Sequence, residues 1–369
     1  AVLCPPLRYP ATQGLLKETG IRALPLSLPL PEVKVDASSG QLVPRQSQFP
    51  AVAEILRYSR ELIRFRSSNQ NGSSFALPFG QWCLDRNVVG LGDHFRSTFH
   101  KLGYGDLAMV PAWYALKFFD ARLALASLLP GQRSARVEGG FVSLWRAVFT
   151  MAGNLGVDFH LSTSVNRVFR DQAGARLDTT RGKFAADHLV LAINPSQIDT
   201  AVTDLDEQER QLIDGTRTAP ITTVLAEVVG AGVEKWIGAQ VIPNDPAVTM
   251  IGLWPWPRKG LAGTVWYISP QDAGLEPGHD PQEGWESWIS ARNLLPVECH
   301  PTRVFEVRHW TEYFPHFTPE AMAAGALKQL SQLQGSRRTY FLGGWTTFEL
   351  VEDTINQAET LVRRHFPMA

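Results

Sequence analysis

The last segment of the chain limits the fold most. Tyr340-Phe341-Leu342 is a short apolar strand, Gly343-Gly344 is a bare turn, and a helical run follows to Arg364. Strand, two glycines and helix in that order form an α/β connection. Thr346 and Glu349 have the T-x-x-E spacing of a capping box. Glu349, Glu352 and Asp353 crowd the expected first turn, and Arg363 and Arg364 the last, which complements the helix dipole. Val351, Ile355, Ala358 and Val362 line one apolar stripe facing a core, and Pro367 follows the end. The turn also suits a ligand. Glycines let it approach the backbone closely, and a helix N-terminus offers free N–H groups to a phosphate or to a heterocycle with electron-rich oxygens. On these residues alone a plain connection outweighs a ligand site.

Upstream, Thr12 to Gly20 reads as a short helix stopped by its glycine, and a Pro-rich extended stretch follows through Pro44. Val52, Ile55, Leu56, Leu62 and Ile63 recur at helical spacing between Phe49 and Phe65. Val110 to Leu129 is a second helical run. Residues 45–135 therefore read as mostly helical. Glu138-Gly139-Gly140-Phe141 opens a helix to about Asn154. The pattern then changes to a three-stranded meander: Ser164–Phe169, Ala175–Thr180 and Ala186–Ile193, with turns at Asp171–Gly174 and Arg181-Gly182. Leu189–Ile193 reads as buried on both faces. Thr222–Val229, Val248–Leu253, Thr264–Ile268 and Val304–Val307 are strands, and Asp280–Leu295 and Pro319–Leu333 helices.

Composition narrows the function class. At ~150 residues per domain, 369 residues make about two domains. A net charge of −1 argues against nucleic acid and anionic membranes. No apolar run approaches the ~18 residues of a membrane span. Cys4, Cys83 and Cys299 are far apart, which fits a reducing, cytoplasmic compartment and gives no disulfide frame. No metal-ligand cluster, Ser-His-Asp order or phosphate loop is present. Ala1 is not a methionine, and the opening residues do not resemble a signal peptide, so a processed or fragmentary chain is expected.

Three segments in order resemble the FAD-dependent amine oxidase superfamily: Glu138-Gly139-Gly140-Phe141-Val142-Ser143-Leu144, the meander from Thr163 to Pro195, and the terminal motif. Val110–Phe119 and Phe348–Thr354 look like its divergent members, the β-cyclopiazonate dehydrogenase-like proteins and the polyenoic fatty acid isomerases. The resemblance implies a mixed α/β, two-domain architecture. It divides the chain into a connecting segment (1–44), a helical subdomain (45–135), a discontinuous, Rossmann-like FAD domain (136–200 and 335–369) and an antiparallel-sheet substrate domain (201–334). It implies that the Val165 backbone meets adenine, that Gly343, Gly344 and the helix after them floor a flavin pocket, and that Trp345 packs near the ring. The Val351 amide then faces the pyrimidine end of the ring. For Trp345 a core position is the weightier alternative.

Two departures stand out. Gly344 replaces the family's acidic residue, so one ribityl hydrogen bond is missing or replaced. The family's G-x-G-x-x-G segment has no counterpart; Val89-Gly90-Leu91-Gly92 and Gly230-Ala231-Gly232 lack the third glycine. That segment is expected upstream of Ala1, unless the chain no longer holds FAD tightly.

The implied reaction is hydride removal from a C–H bond onto non-covalently bound FAD, with no cysteine in the terminal motif to attach it. Trp310 and Tyr313, in Arg308–Phe317, are the first choices for contacting an apolar small molecule such as a fatty acid, terpenoid or prenylated indole. Filling a core is an equally weighted role for both. Trp254, Trp256, Trp266 and Tyr267 are read as sheet-face aromatics, His309 and His316 as lesser candidates for a general base, and Lys117 as a snorkelling surface lysine in preference to a carboxylate binder. Two alternatives remain: a double-bond isomerase of polyunsaturated fatty acids on the same scaffold, and a degenerate, cofactor-free binding protein. Oligomeric state is open.

Overall fold

The computed structural model describes residues 8–27, 32–36, 38–43, 51–69, 72–92, 95, 99, 104, 107–119, 133–230, 240–243, 248–255, 262–268, 295 and 299–367. In chain order these form α1 (Pro10–Thr19), β1 (Ala23–Ser27), β2 (Glu32–Val35), β3 (Leu42–Val43), α2 (Val52–Ser67), α3 (Phe79–Asp85), α4 (Ala112–Phe118), β4 (Arg133–Val137) and α5 (Phe141–Asn154). Next come β5 (Val165–Asp171), β6 (Gly174–Thr179), β7 (Gly182–Ala186), β8 (Leu189–Leu191), α6 (Pro195–Ala201), α7 (Glu207–Asp214) and β9 (Thr216–Val229). The remainder is β10 (Gln240–Pro243), β11 (Val248–Pro255), β12 (Ala262–Ile268), β13 (His300–Phe317), α8 (Pro319–Ala323), α9 (Ala326–Leu333), β14 (Thr339–Phe341) and α10 (Val351–His365).

This is a mixed α/β fold with separate helical and sheet-rich regions. A seven-stranded sheet runs β13-β9-β12-β11-β10-β2-β3. The long strands β9 and β13 pair antiparallel along their length. On β9, Val224, Ala226 and Val228 are buried at every second position, as a sheet with one face on a core requires. The helical region packs aromatics: Tyr58, Phe65, Phe79, Trp82, Phe99, Tyr104, Trp113 and Tyr114 are all buried. Among the described residues no helix is long and apolar enough to cross a membrane.

Several expectations are corrected. The third meander strand is β7, not Ala186–Ile193: β5, β6 and β7 form the meander, and β8 leaves it to pair in parallel with β14. Only Leu189 and Leu191 of β8 are buried, while Val190 is 44% exposed, because a two-stranded parallel sheet covers one face here. The helix expected over Pro319–Leu333 is two helices, broken where Gly325 takes a left-handed φ of 88°. The run from Val110 is described only as α4, and residues 120–129, Asp280–Leu294, Trp256, Cys4, Ala231 and Gly232 lie outside the described residues. Trp254, Trp266 and Tyr267 place their backbone in β11 and β12.

The terminal helix also starts later than expected. A 3₁₀ turn, Gly344–Thr346, follows the glycines, and α10 begins at Val351 behind Leu350. Thr346 and Glu349 form no capping box: Thr346 Oγ1 donates to the Gly343 carbonyl at 2.7 Å, and Glu349 precedes the helix. The inward positions are Glu352 and Leu361, whereas Val362 is exposed. Glu352 is buried because it caps another helix. Its carboxylate accepts from the Ala11 and Thr12 N–H groups and from Thr12 Oγ1, all at 2.9 Å. Glu352→Ala leaves those buried donors without a partner and is expected to cost about 2 kcal/mol. Chemical denaturation checks this. An unchanged midpoint and slope would count against the cap.

A buried ion network fixes the approach to β14. The Arg170 guanidinium, fully buried on β5, meets Glu209 of α7 with two bonds of 2.8 and 2.9 Å and Asp204 at 3.1 Å. Arg337 adds bonds to Glu209, to Asp206 at 3.1 Å and to the Asp204 carbonyl at 2.7 Å. Arg337 holds a φ of 47°, two residues ahead of β14.

Candidate functional site

The carboxyl ends of β8 and β14 lie side by side, since Leu191 pairs with Phe341 and the Leu342 N–H donates to the Leu191 carbonyl at 2.9 Å. Parallel strands commonly bind ligands at such an edge. From β14 the chain enters the glycine turn. Gly343 has a φ of 113°, a conformation side chains disfavour, and a Cβ there would touch the Trp345 ring edge at 3.6–3.9 Å. Trp345 is 1% exposed and packs against Phe317 and Phe341 at 5.9 and 6.1 Å between ring centres. It is thus a core residue, yet its Nε1–H has no hydrogen-bond partner among the described residues. Past the turn, the first bond of α10 runs from Thr354 N–H to Leu350 O, and among the described residues no side chain caps the N–H groups of Val351, Glu352 and Asp353.

The second wall comes from β13. Residues three apart on a regular strand face opposite sides, but register shifts on either side of Tyr313 bring the Trp310 and Tyr313 rings to 6.0 Å. Trp310 is 40% exposed and donates from Nε1 to Thr223 Oγ1 at 3.1 Å. From Tyr313 the aromatics run inward: Phe314 stacks on it at 4.2 Å, Tyr104 meets Phe314 at 5.5 Å, and Phe348 stacks on Tyr104 at 5.3 Å. Tyr104 Oη accepts from the Glu349 N–H at 3.3 Å. One aromatic line therefore joins Trp310 to the segment that follows the glycine turn. Glu312 ties the same strand to the end of β8, accepting from Ser196 Oγ at 2.6 Å and from Asn194 Nδ2 at 3.4 Å.

Titratable groups sort by environment. His316 is wholly buried, and burial pushes it down to about 4. Its Nδ1 lies 2.8 Å from the Phe314 carbonyl, which can only accept, so Nδ1 carries the proton and Nε2 is a bare acceptor. An imidazole so acidic when protonated is a poor base near neutrality. His309 is exposed at the strand surface beside Thr222 Oγ1, at 2.9 Å. Lys117 is not a surface lysine. Its side chain is mostly buried, with Nζ over the Trp113 ring at 4.8 Å, 2.5 Å from Thr347 Oγ1 and 3.6 Å from Asp353 Oδ1. Burial lowers Lys117 and raises Asp353, and the charge of each draws the other back.

Glu349 is pushed up to about 7 from its usual 4.5, by burial. A raised carboxyl adds stability below its unfolded value, and that stability is lost as pH rises through the folded one. Glu349→Gln is therefore expected to match the wild type near pH 4.5 and to exceed it by on the order of 3 kcal/mol above pH 7. Thermal unfolding at both pH values checks this. Equal gaps at both would contradict it.

Gly343, Gly344 and Trp345 share one turn, which Thr346 ties to Gln357 of α10 at 2.8 Å, and the Trp310 and Tyr313 rings lie 6.0 Å apart. Val165 opens β5, is 43% exposed and has no described contact with the turn. The sequence reading missed Tyr104, Phe314 and Phe348 as the link between the walls. The orphaned Trp345 N–H and the uncapped helix start together fit a heterocycle bearing acceptor oxygens.

The family model for flavin containing amine oxidoreductases matches residues 4–364. An uncharacterized protein of Acanthamoeba polyphaga mimivirus is 21% identical over 81% of this chain, which spans only 63% of that relative's length. Among solved structures, a CLA-producing fatty acid isomerase from P. acnes superposes with a TM-score of 0.78 at 17% identity, over 99% of this chain and 86% of that one. A putrescine oxidase bound to putrescine gives 0.69 at 16% identity, over 98% and 87%.

Proposed function

The chain belongs to the flavin-containing amine oxidoreductase family, and we propose that it is an FAD-dependent oxidoreductase taking a hydride from a C–H bond of a largely apolar small molecule. The observation that carries this reading is the aromatic line from Trp310 through Tyr313, Phe314 and Tyr104 to Phe348, which ends in the segment that follows the glycine turn. Bound FAD would supply the two-electron acceptor. The protein's part is to hold and to exclude. The glycine turn would lie against the cofactor, the amides from Val351 would donate to its ring system, Trp345 Nε1 would donate to its polyol chain, and the Val165 backbone would meet the adenine. Partial positive charge at the start of α10 favours electron density gathering on the nearby ring edge. Trp310 and Tyr313 flank the substrate and keep water from the reacting carbon. Attachment is non-covalent in this reading, since no cysteine lies in the terminal motif. Residues 136–200 and 335–369 then form one FAD unit, a division that the parallel pairing of β8 with β14 supports.

A second reading, a double-bond isomerase of a polyunsaturated fatty acid, draws on the higher superposition with the fatty acid isomerase, 0.78 against 0.69. There the hydride returns to another carbon of the same molecule and no acceptor is consumed. Incubating the FAD-loaded protein anaerobically with fatty acids, terpenoids and prenylated indoles tests both. The oxidoreductase gives flavin bleaching and product in proportion to added acceptor, and the isomerase gives a shifted double bond without acceptor. Neither bleaching nor isomer with any of them would overturn the substrate class.

A further inference from the structure

We propose that the Glu349 carboxylate, seated over the bare Cα of Gly344, is the acceptor that holds a hydroxyl of the flavin cofactor's polyol chain. The inference rests on the flavin pocket proposed above. A Cβ on Gly344 would overlap the Glu349 carboxylate, far inside contact distance. Position 344 must therefore be glycine for Glu349 to adopt this place, and the carboxylate fills the space a side chain at 344 would take. Glu349 is held there from both sides. Its N–H bonds Tyr104 Oη, and its neighbours Phe348 and Leu350 are buried.

The carboxylate itself accepts no hydrogen bond among the described residues. Lys117, whose ammonium reaches the same segment, is committed to Thr347 and Asp353. The other groups facing this pocket are the Tyr104 and Tyr114 phenols, which burial raises and keeps neutral, and Asp353. Glu349 is part-exposed in the free protein, and a ligand that covers its carboxylate must bring a donor, because a buried acceptor without one is costly. The Trp345 Nε1–H on the Gly343 side of the same turn supplies a second clue, because it is a buried donor without an acceptor. An ammonium ion could satisfy the carboxylate but not the indole. A polyol, whose hydroxyls both donate and accept, matches both.

The test is FAD affinity by flavin fluorescence quenching between pH 5.5 and 8.5, on the wild type, Glu349→Gln and Gly344→Ala. An ionised carboxylate accepts more strongly than a protonated one. The wild type should bind more tightly as pH rises through about 7, where Glu349 loses its proton. Glu349→Gln should bind about tenfold more weakly at pH 8 and show no pH dependence. Gly344→Ala, which evicts the carboxylate without removing it, should behave likewise. Glu349→Gln keeps the test standing should the alanine not fold. A wild-type affinity that is level across pH 7, or a Glu349→Gln protein with wild-type affinity at pH 8, would overturn this inference alone. Absence of FAD binding by the wild type would overturn the flavin pocket and this inference with it.

Discussion

Arg170→Met is expected to lose about 3–5 kcal/mol of folding stability, the range for breaking a buried ion pair from one side. Arg170 is fully buried and serves two carboxylates, and Glu209 is as deeply buried. With Arg170 gone, Glu209 keeps one bond partner of this kind, Arg337. Loss of the guanidinium also loosens the joint between β5, α7 and the residues leading into β14, so flavin retention should fall with stability. Denaturant unfolding of Arg170→Met, Glu209→Met and the double variant gives the coupling. The double variant should recover part of the loss, because no lone buried charge remains. Fully additive losses would show that the two residues act independently and would contradict the network.

Trp345→Ala should cost a similar amount, about 3–5 kcal/mol, as a large aromatic deleted from a packed site does. Trp345→Phe separates packing from hydrogen bonding. Phenylalanine keeps most of the contacts with Phe317 and Phe341 and removes a buried N–H that has no partner, so flavin-free stability should stay within about 1 kcal/mol of wild type. FAD affinity should nevertheless fall about tenfold, because the lost donor is one the ligand uses. Unfolding midpoints and FAD titrations of the two variants check both halves. Wild-type FAD affinity in Trp345→Phe would make this residue purely structural.

Much of the fold was legible locally. Gly20 ends α1 as expected, the turns at Asp171–Gly174 and Arg181-Gly182 sit between β5, β6 and β7, and the Gly343-Gly344 turn leads from a strand toward a helix. What failed depended on partners far along the chain. β8 looks like the end of a meander until β14 arrives to pair with it. Glu352 reads as a dipole-favouring surface residue, and its actual use, capping Thr12, spans 340 positions. Lys117 reads as solvated because nothing near it in sequence announces Asp353.

The candidate site divides the same way. Trp310 and Tyr313 were chosen for residue type, yet their spacing on an ordinary strand would separate them. Register shifts that carry no residue signature bring them together. Tyr104 joins Phe314 to Phe348 and meets Glu349 across 245 positions, so no local pattern marks it. The collision between a residue-344 side chain and Glu349 likewise needs coordinates. In the sequence it shows only as a glycine where the family carries an acid.

The most direct test of the central claim is the visible absorption spectrum of the purified protein after incubation with FAD and desalting, on the 369-residue chain and on a version extended upstream of Ala1. The flavoenzyme account predicts a retained flavin spectrum, bleached by dithionite and restored by air, in at least one of the two. Two colourless proteins would contradict it and leave the cofactor-free binding protein as the better description.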